Sequence, residues 1–158
     1  MTLRVRPMTE PDAVAVSQIV VAGYVFLAER EGFSEQQVKR LLAERSSETV
    51  VRERWLREWD CYVAECGARV VGALAIERHE IAELWVLPDY HRQGTGAALF
   101  RKAEGVIAAS GYRHLTLRCA TLSSKLFYET MGTEIVDTRP CSSGPLSGWP
   151  LTYYRKNL

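Results

Sequence analysis

The sequence has little of several features that mark specialised classes of protein. Its four cysteines are irregularly spaced without a Cys-x-x-Cys motif, and with three scattered histidines they predict neither a disulfide framework nor a zinc site. The formal net charge is only +1, which gives no reason to expect nucleic acid or a membrane as a partner. No apolar signal segment is seen at the N-terminus, and the longest apolar run, residues 19–28, looks too short and interrupted to span a bilayer. We therefore predict a reduced, metal-free, cytoplasmic protein.

What is present is an ordinary globular composition, with 47% hydrophobic and 25% charged residues in a chain of 158. This length predicts one domain over residues 1–158, with a substantial core. Hydrophobic periodicity predicts the order β-α-α-β-β-β-α-β-α-β-β, with a further solvated helix in the charged stretch 45–58. The chain is thus predicted to be an α/β protein with a mixed sheet and helices on its faces.

The most informative stretch is residues 83–100, where an apolar strand ends at Pro88 and a polar loop with Gly94 and Gly96 leads into a helix. Such a loop places successive backbone N–H groups at a helix N-terminus. Unpaired donors and the helix dipole both favour a phosphate there. The sequence therefore predicts a site for a phosphate-bearing ligand at this loop.

Two common phosphate loops do not match this stretch. A nucleoside triphosphate loop needs Gly-Lys-Ser/Thr, whereas Gly96 is followed by Ala97-Ala98. A dinucleotide fingerprint needs a third small residue where Leu99 stands, and an acidic residue about 20 positions further on, where the chain has Tyr112-Arg113-His114. Both patterns are therefore set aside.

The loop instead resembles the acyl-coenzyme-A loop of the GNAT-type N-acetyltransferases, Val-x-Pro-x-x-Arg/Gln-x-x-Gly-x-Gly/Ala. The matching stretch is Val86-x-Pro88-x-x-His91-x-x-Gly94-x-Gly96-Ala97. Arg6-Pro7-x-Thr9-x-x-Asp12-Ala13 also resembles the start of the family, and Leu126-Phe127-Tyr128-Glu129-x-x-Gly132 resembles its second motif. The chain departs from the usual residues at His91 (Arg or Gln), Thr121 (Asn), Ser124 (Ala) and Thr133 (Phe).

This resemblance implies the acyl-CoA N-acyltransferase fold, with a mostly antiparallel central sheet and helices on both faces, and acetyl-CoA as co-substrate. It implies that N–H groups of the loop wrap the coenzyme A pyrophosphate. It also implies that backbone groups of Trp85 and Val86 pair with the pantetheine arm. The coenzyme-binding residues so predicted are Trp85, Val86, His91, Arg92, Gln93, Gly94, Thr95, Gly96, Ala97, Thr121 and Ser124.

Acyl transfer from a thioester to an amine needs a neutral amine and a proton for the thiolate that leaves. By resemblance, Tyr128 is the general acid, because it occupies the position of the family tyrosine whose hydroxyl faces the coenzyme sulfur. Glu80 and Glu83 lie on the strand expected to flank the acetyl group. Glu80 aligns better with the family position that holds a catalytic glutamate in some members, Glu83 lies nearer the loop, and each is either the base or a solvated charge. Three residues apart, they point to opposite faces of the strand unless a bulge intervenes.

The predicted function is an N-acetyltransferase that moves an acetyl group from acetyl-CoA to a primary amine, of a small molecule or a peptide, in a ternary complex. The alternative is a non-catalytic acyl-CoA-binding sensor or partner module, which needs neither Tyr128 nor a strand glutamate. We expect Trp55, Trp59 and the loop Arg139–Pro150 to shape the acceptor side, although a core role is the preferred interpretation of both tryptophans. Homodimers are common in the family, but no residue here indicates one.

Overall fold

The computed structural model describes residues 2–158 and contains one seven-stranded mixed sheet. Its strands are β1 (Leu3–Pro7), β2 (Asp60–Cys66), β3 (Arg69–Glu77), β4 (Glu80–Val86), β5 (His114–Cys119), β6 (Glu134–Pro140) and β7 (Pro150–Asn157). Their spatial order is β1-β2-β3-β4-β5-β7-β6, and only β4 and β5 pair in parallel. The predicted mixed, mostly antiparallel sheet is confirmed.

Helices cover both faces of the sheet, also as predicted. They are α1 (Ala13–Glu31), α2 (Glu35–Arg45), α3 (Glu48–Val50), α4 (Leu56–Glu58), α5 (Thr95–Ala109) and α6 (Lys125–Thr130). A π-helical turn, Val51–Trp55, joins α3 to α4, so residues 48–58 form one continuous helical segment. This segment is the helix predicted from the charged stretch 45–58.

Two hydrophobic clusters, one on each face of the sheet, follow from the alternation of side chains along the strands. On the α1 face, α1, α2 and segment 48–58 pack against residues of β3 such as Ala73 and Ala75. On the α5 face, α5 packs against the intervening residues, such as Leu74 and Ile76. Strand β3 is therefore covered on both sides, and residues 71–76 are all buried.

Helix α1 is apolar, and part of it is buried in the core. With the turn before it, this helix spans Glu10–Glu31 and is, by length and composition, long and apolar enough to cross a membrane. The apolar run 19–28, which by itself is too short to span a bilayer, is therefore part of a longer apolar helix. Val16, Val20 and Tyr24 are buried in the α1-face cluster, and a core helix of a soluble protein has the same composition.

Two irregularities of β4 shape the middle of the sheet. Ala75 pairs with Glu83 while Ile76 pairs with Ile81, so Ala82 is an extra residue that forms a β-bulge. Strand β4 also pairs with β5 only at Glu80 and Ile81. Beyond Ile81 the two strands separate, and the β5 side of β4 over residues 82–86 pairs with no strand among residues 2–158.

Arg6 on β1 ties the start of α1 to the sheet. Its two Nη atoms each donate to the carboxylate of Asp12 over 2.8 Å, and its Nε donates to Glu65 over 2.7 Å. The hydrogen bond from Arg6 is the main reason that the pKa of Asp12 falls to about 2, from an ordinary 3.8. Because the folded-state pKa of Asp12 is lowered, its interaction with Arg6 stabilises the fold fully above the unfolded-state pKa of about 3.9. This stabilisation is lost as the pH falls toward 2.

Asp12→Asn is expected to lower the free energy of unfolding at pH 7 by about 2 kcal/mol, because the charge-assisted bonds to Arg6 are lost. Chemical denaturation measures this, and the difference from wild type should shrink as the pH falls below 4. Glu44→Gln is the control, since Glu44 is exposed and pairs with Arg40 at 3.4 Å; it should change stability by less than about 0.5 kcal/mol. Equal effects of the two substitutions would contradict the role of Asp12.

The segment between β6 and β7 is shorter than the predicted loop, because β6 extends to Pro140. Hydrogen bonds within the segment and to its surroundings hold it in place. The Cys141 N–H donates to the carbonyl of Trp149 over 2.7 Å. The Trp149 indole donates to the carbonyl of Ala120 over 3.1 Å and meets the ring of Phe33 edge-on at a centroid distance of 5.1 Å. This segment therefore links the end of β5 to the start of α2.

Candidate active site

The glycine loop, residues 87–94, turns the chain from β4 into α5. Pro88–Tyr90 form a 3₁₀ turn, and positive φ angles at Arg92 (59°) and Gly94 (86°) redirect the chain before the helix. The Ala98 N–H bonds to the carbonyl of Gly94, the N-cap, over 3.0 Å. The N–H groups just ahead of Ala98 belong to the first turn, which has no intrahelical acceptors. This geometry suits an anion.

His91 turns toward the strand rather than along the loop. Its Nε2 lies 2.9 Å from the carbonyl oxygen of Val86, and its ring meets Phe26 of α1 edge-on at a centroid distance of 4.9 Å. Arg92 and Gln93 are exposed, and Gln93 donates to the carbonyl of Asp89 over 3.1 Å. His91 thus holds the loop to the end of β4, and its contact with a coenzyme stays a prediction.

Helix α6 approaches the start of α5 at Gly96, which brings the second predicted motif beside the first. A Cβ atom at Gly96 would lie 3.2 Å from the Phe127 ring, so the missing side chain makes room for α6. Ahead of α6, the hydroxyls of Thr121 and Ser124 lie 2.9 Å apart. The Sγ of Cys119, the last residue of β5, is 3.1 Å from the Thr121 hydroxyl. Both predicted hydroxyl groups therefore lie where β5 ends.

Tyr128 is buried in the α5-face cluster, with ring centroids 5.1 Å from Phe127 and 5.3 Å from Tyr154. Burial raises the pKa of Tyr128 well above 10, and the nearby Cys119, Tyr154 and Glu83 act in the same direction. The phenol is therefore protonated throughout the neutral range. Its hydroxyl forms no hydrogen bond within residues 2–158. Every fully buried side-chain oxygen in that range has a hydrogen-bond partner, so the Tyr128 hydroxyl is not fully buried. The tip of Tyr128 is therefore accessible.

A cavity of about 190 Å³ lies on the α1 face, where β4 bulges. Glu80 and Glu83 both line it. In a regular strand, residues three apart point to opposite faces, but the extra residue Ala82 returns both side chains to the same face. Glu80 is paired with Arg118 over 3.0 Å. The bulge that the sequence left open thus brings both candidate bases to one site.

Trp55 lies in segment 48–58, and Trp59 follows directly after it. Trp55 is 1% exposed and belongs to the α1-face cluster, which is the core role preferred from the sequence. Trp55 and Trp59 also line the cavity beside Glu83. Their ring centroids are 6.3 Å apart. The wall of the cavity is therefore part of the core itself.

Glu83 is oriented by Trp85, whose Nε1 donates to Glu83 Oε2 over 2.6 Å. Burial raises the pKa of the Glu83 carboxyl, although this hydrogen bond opposes the shift. The indole packs on Tyr24 at a centroid distance of 4.6 Å. It also lies against Gly23, where a Cβ atom would be only 2.3 Å from Trp85 Cε3. Gly23 thus makes room for the side chain that positions the carboxylate.

One protein family matches more than half of the chain. The family described as the acetyltransferase (GNAT) domain matches residues 29–145. This range includes the glycine loop, both β4 glutamates and Tyr128. The chain belongs to the GNAT acetyltransferase family. Among curated proteins, none matches the sequence at a significant level.

Solved structures show the same GNAT fold. A GCN5-related N-acetyltransferase from Rhodopseudomonas palustris superposes with a TM-score of 0.83 at 22% identity, over 100% of this chain and 97% of the other. The PaiA N-acetyltransferase from Thermoplasma acidophilum, in complex with coenzyme A, gives 0.80 at 18% identity over 100% of both chains. The protein yncA from Salmonella typhimurium, with its cofactor acetyl-CoA, gives 0.73 at 14% identity, over 100% of this chain and 95% of the other.

Several residues at the site of this GNAT protein were missed by sequence reasoning. They are Gly23 beside Trp85 and the three arginines of the cavity lining, Arg45, Arg54 and Arg118. A glycine within an apolar helix is a signal of close packing that could have been used. Arg45 and Arg54 gave no such signal, because a charged helical stretch usually faces solvent. Arg118 gave none either, because a charged residue on an alternating strand is the usual solvent-facing position.

Gly23→Ala is expected to lower the free energy of unfolding by about 1 to 3 kcal/mol, because the new methyl group overlaps the Trp85 indole. Gly105→Ala is the matched control, since Gly105 also lies within a helix but has open space around its Cβ position. That control should stabilise the protein by up to about 1 kcal/mol through helix propensity. Urea denaturation measures both changes, and a stabilising Gly23→Ala would contradict the packing described.

Proposed function

We propose that this GNAT protein transfers an acetyl group from acetyl-CoA to the primary amine of a small molecule or peptide. The observation that carries the proposal is that Glu83 lies on β4 beyond its pairing with β5, while Tyr128 lies on the opposite face of the sheet. Glu83 lines the cavity on the α1 face, whereas Tyr128 belongs to the α5-face cluster. The charge of Glu83 nevertheless contributes to the raised pKa of Tyr128. A carboxylate that could act as base and a phenol that could act as acid, close enough for their charges to interact, suit direct transfer from a thioester to an amine.

The glycine loop and the open edge of β4 support acetyl-CoA as the donor substrate. Backbone N–H groups of residues 94–97 would bind the pyrophosphate, with Arg92 adding positive charge. The edge at Trp85 and Val86 would accept the pantetheine arm as an added strand, with Thr121 and Ser124 opposite. Because His91 already contacts the Val86 carbonyl, the arm would use the other backbone groups of this edge or displace the imidazole. The ligands of PaiA and yncA support the same choice of coenzyme.

In the proposed reaction Glu83 takes a proton from the acceptor ammonium group, directly or through water, so that the amine is neutral. The nitrogen lone pair then attacks the thioester carbonyl carbon. A C–N bond forms, the C–S bond breaks, and Tyr128 gives its proton to the departing sulfur. The second proton lost by the nitrogen restores the Tyr128 phenol through solvent. The net products are the amide, free coenzyme A and the proton first taken by Glu83.

The test is acetylation of a panel of amines by the purified protein, followed by free thiol release and by mass spectrometry of the products. Thiol release that depends on the amine, with acetylation of that amine, is the expected result. Calorimetric titration with acetyl-CoA is run in parallel. Binding without transfer to any amine would favour the non-catalytic acyl-CoA-binding module, and absence of binding would overturn both candidates.

A further inference from the structure

The cavity beside Glu83 has charges of both signs in its lining. It contains the carboxylates of Glu77, Glu80 and Glu83 and the guanidinium groups of Arg45, Arg54 and Arg118. An acceptor whose only charged group is an ammonium would pair with the carboxylates and would make no favourable contact with the guanidinium groups. The guanidinium groups are therefore the part of this cavity that the acetyl transfer itself leaves unexplained.

Two of these arginines have no carboxylate partner. Arg118 pairs with Glu80, but no ion pair within 4.0 Å involves Arg45 or Arg54 among residues 2–158. Arg45 is partly buried, and its hydrogen bond is a long one, 3.5 Å to the Tyr24 hydroxyl. Both positive charges are close enough to act on the pKa of Glu83.

The position of Arg54 is supported by an aromatic contact. Its guanidinium carbon lies 5.2 Å from the ring centre of Trp59, which also lines the cavity. Such a cation–π contact helps to hold the cation at the cavity wall without neutralising its charge. Arg45 and Arg54 together therefore form a positively charged part of the wall.

Of the two, Arg45 is partly buried and Arg54 is exposed. A partly buried guanidinium such as that of Arg45 is unfavourable without an anionic partner, because it has lost hydration without gaining an ion pair. A carboxylate from a ligand would satisfy it, since the planar guanidinium fork matches carboxylate geometry. A polycationic acceptor, such as a polyamine, would instead add positive charge beside Arg45 and Arg54. The charges at this wall thus favour an acceptor that carries its own carboxylate.

We propose that the acceptor is a small zwitterionic amine of the free amino acid class. Its amino group would lie at Glu83 and its carboxylate at Arg45 and Arg54. The cavity of about 190 Å³ has room for such a molecule. This inference rests on the proposed function, since it names the acceptor class of the same site.

The test compares amino acids with their decarboxylated counterparts, lysine with cadaverine and tyrosine with tyramine, by free thiol release from acetyl-CoA. At least one amino acid should have a kcat/KM more than about tenfold above that of its partner. Higher kcat/KM for both decarboxylated amines would overturn the acceptor class while leaving acetyl transfer in place. No transfer to any amine, with acetyl-CoA bound, would overturn the proposed function as well.

Substitutions then locate the carboxylate. Arg45→Met and Arg54→Met should each raise the KM for the preferred amino acid about tenfold or more. The KM for the decarboxylated amine should change far less, because the loss of either charge acts on that amine only through the pKa of Glu83. Arg52→Met is the control, because Arg52 lies on the same helical segment, pairs with Glu48 over 2.9 Å and is outside the cavity lining. Because Arg45 is partly buried, Arg54→Met carries the test if Arg45→Met does not fold. An unchanged KM in every folded variant would overturn the assignment.

Discussion

Tyr128→Phe is expected to lower kcat about 10²- to 10³-fold, with the KM for acetyl-CoA changed by less than about threefold. The hydroxyl is the group proposed to protonate the departing sulfur, and burial keeps it protonated by raising its pKa well above 10. Folding should be little affected, because the hydroxyl forms no hydrogen bond within residues 2–158. Steady-state kinetics and thermal unfolding of the variant measure these two effects separately.

Tyr154→Phe is the matched control for this prediction. Tyr154 belongs to the same aromatic cluster, with its ring centroid 5.3 Å from that of Tyr128, but the proposed reaction gives it no proton to transfer. Its kcat should remain close to that of the wild type. If both variants lost activity equally, the packing of the cluster would be responsible and Tyr128 would not be the general acid.

Glu83→Gln should lower kcat/KM at neutral pH about 10²- to 10³-fold, the usual worth of a general base. Glutamine keeps an oxygen that can accept the 2.6 Å hydrogen bond from Trp85, so the site geometry should persist. The pH profile adds a second test. Burial raises the pKa of Glu83 above the ordinary glutamate value of about 4.3. As the pH is lowered, Glu83 is therefore protonated, and lost as a base, at a higher pH than an ordinary glutamate. On the acidic side of the wild-type profile (the acidic limb), kcat/KM should therefore begin to fall at a pH above that of an ordinary glutamate.

Glu80→Gln separates the two candidate bases. Glu80 lines the same cavity but is paired with Arg118 over 3.0 Å, so its carboxylate is already engaged. We expect a loss of less than about tenfold and an unchanged acidic limb. A larger loss in Glu80→Gln than in Glu83→Gln, or an acidic limb that survives in Glu83→Gln, would transfer the role of base away from Glu83.

Features that depend on neighbouring residues in the chain were predictable from the sequence. At the start of α2, the side chains of Ser34 and Gln37 each accept a hydrogen bond from the other's backbone N–H, which is a capping box. This capping box and the turn at Gly94 follow from local backbone chemistry. The order of strands and helices follows from hydrophobic periodicity, which reports the face that each segment must bury. The positions of Glu80 and Glu83 were less predictable, because a bulge depends on pairing with another strand.

By itself, the sequence determined the fold class, the family and the loop suited to a phosphate-bearing ligand, because all of these depend on short motifs and on local periodicity. Only the tertiary structure decided that the bulge at Ala82 turns Glu80 and Glu83 to one face. It also decided that Gly23 makes room for Trp85 and that Arg45 and Arg54 line the same cavity. These residues come from separate elements, and long-range packing, which no local pattern records, brings them together.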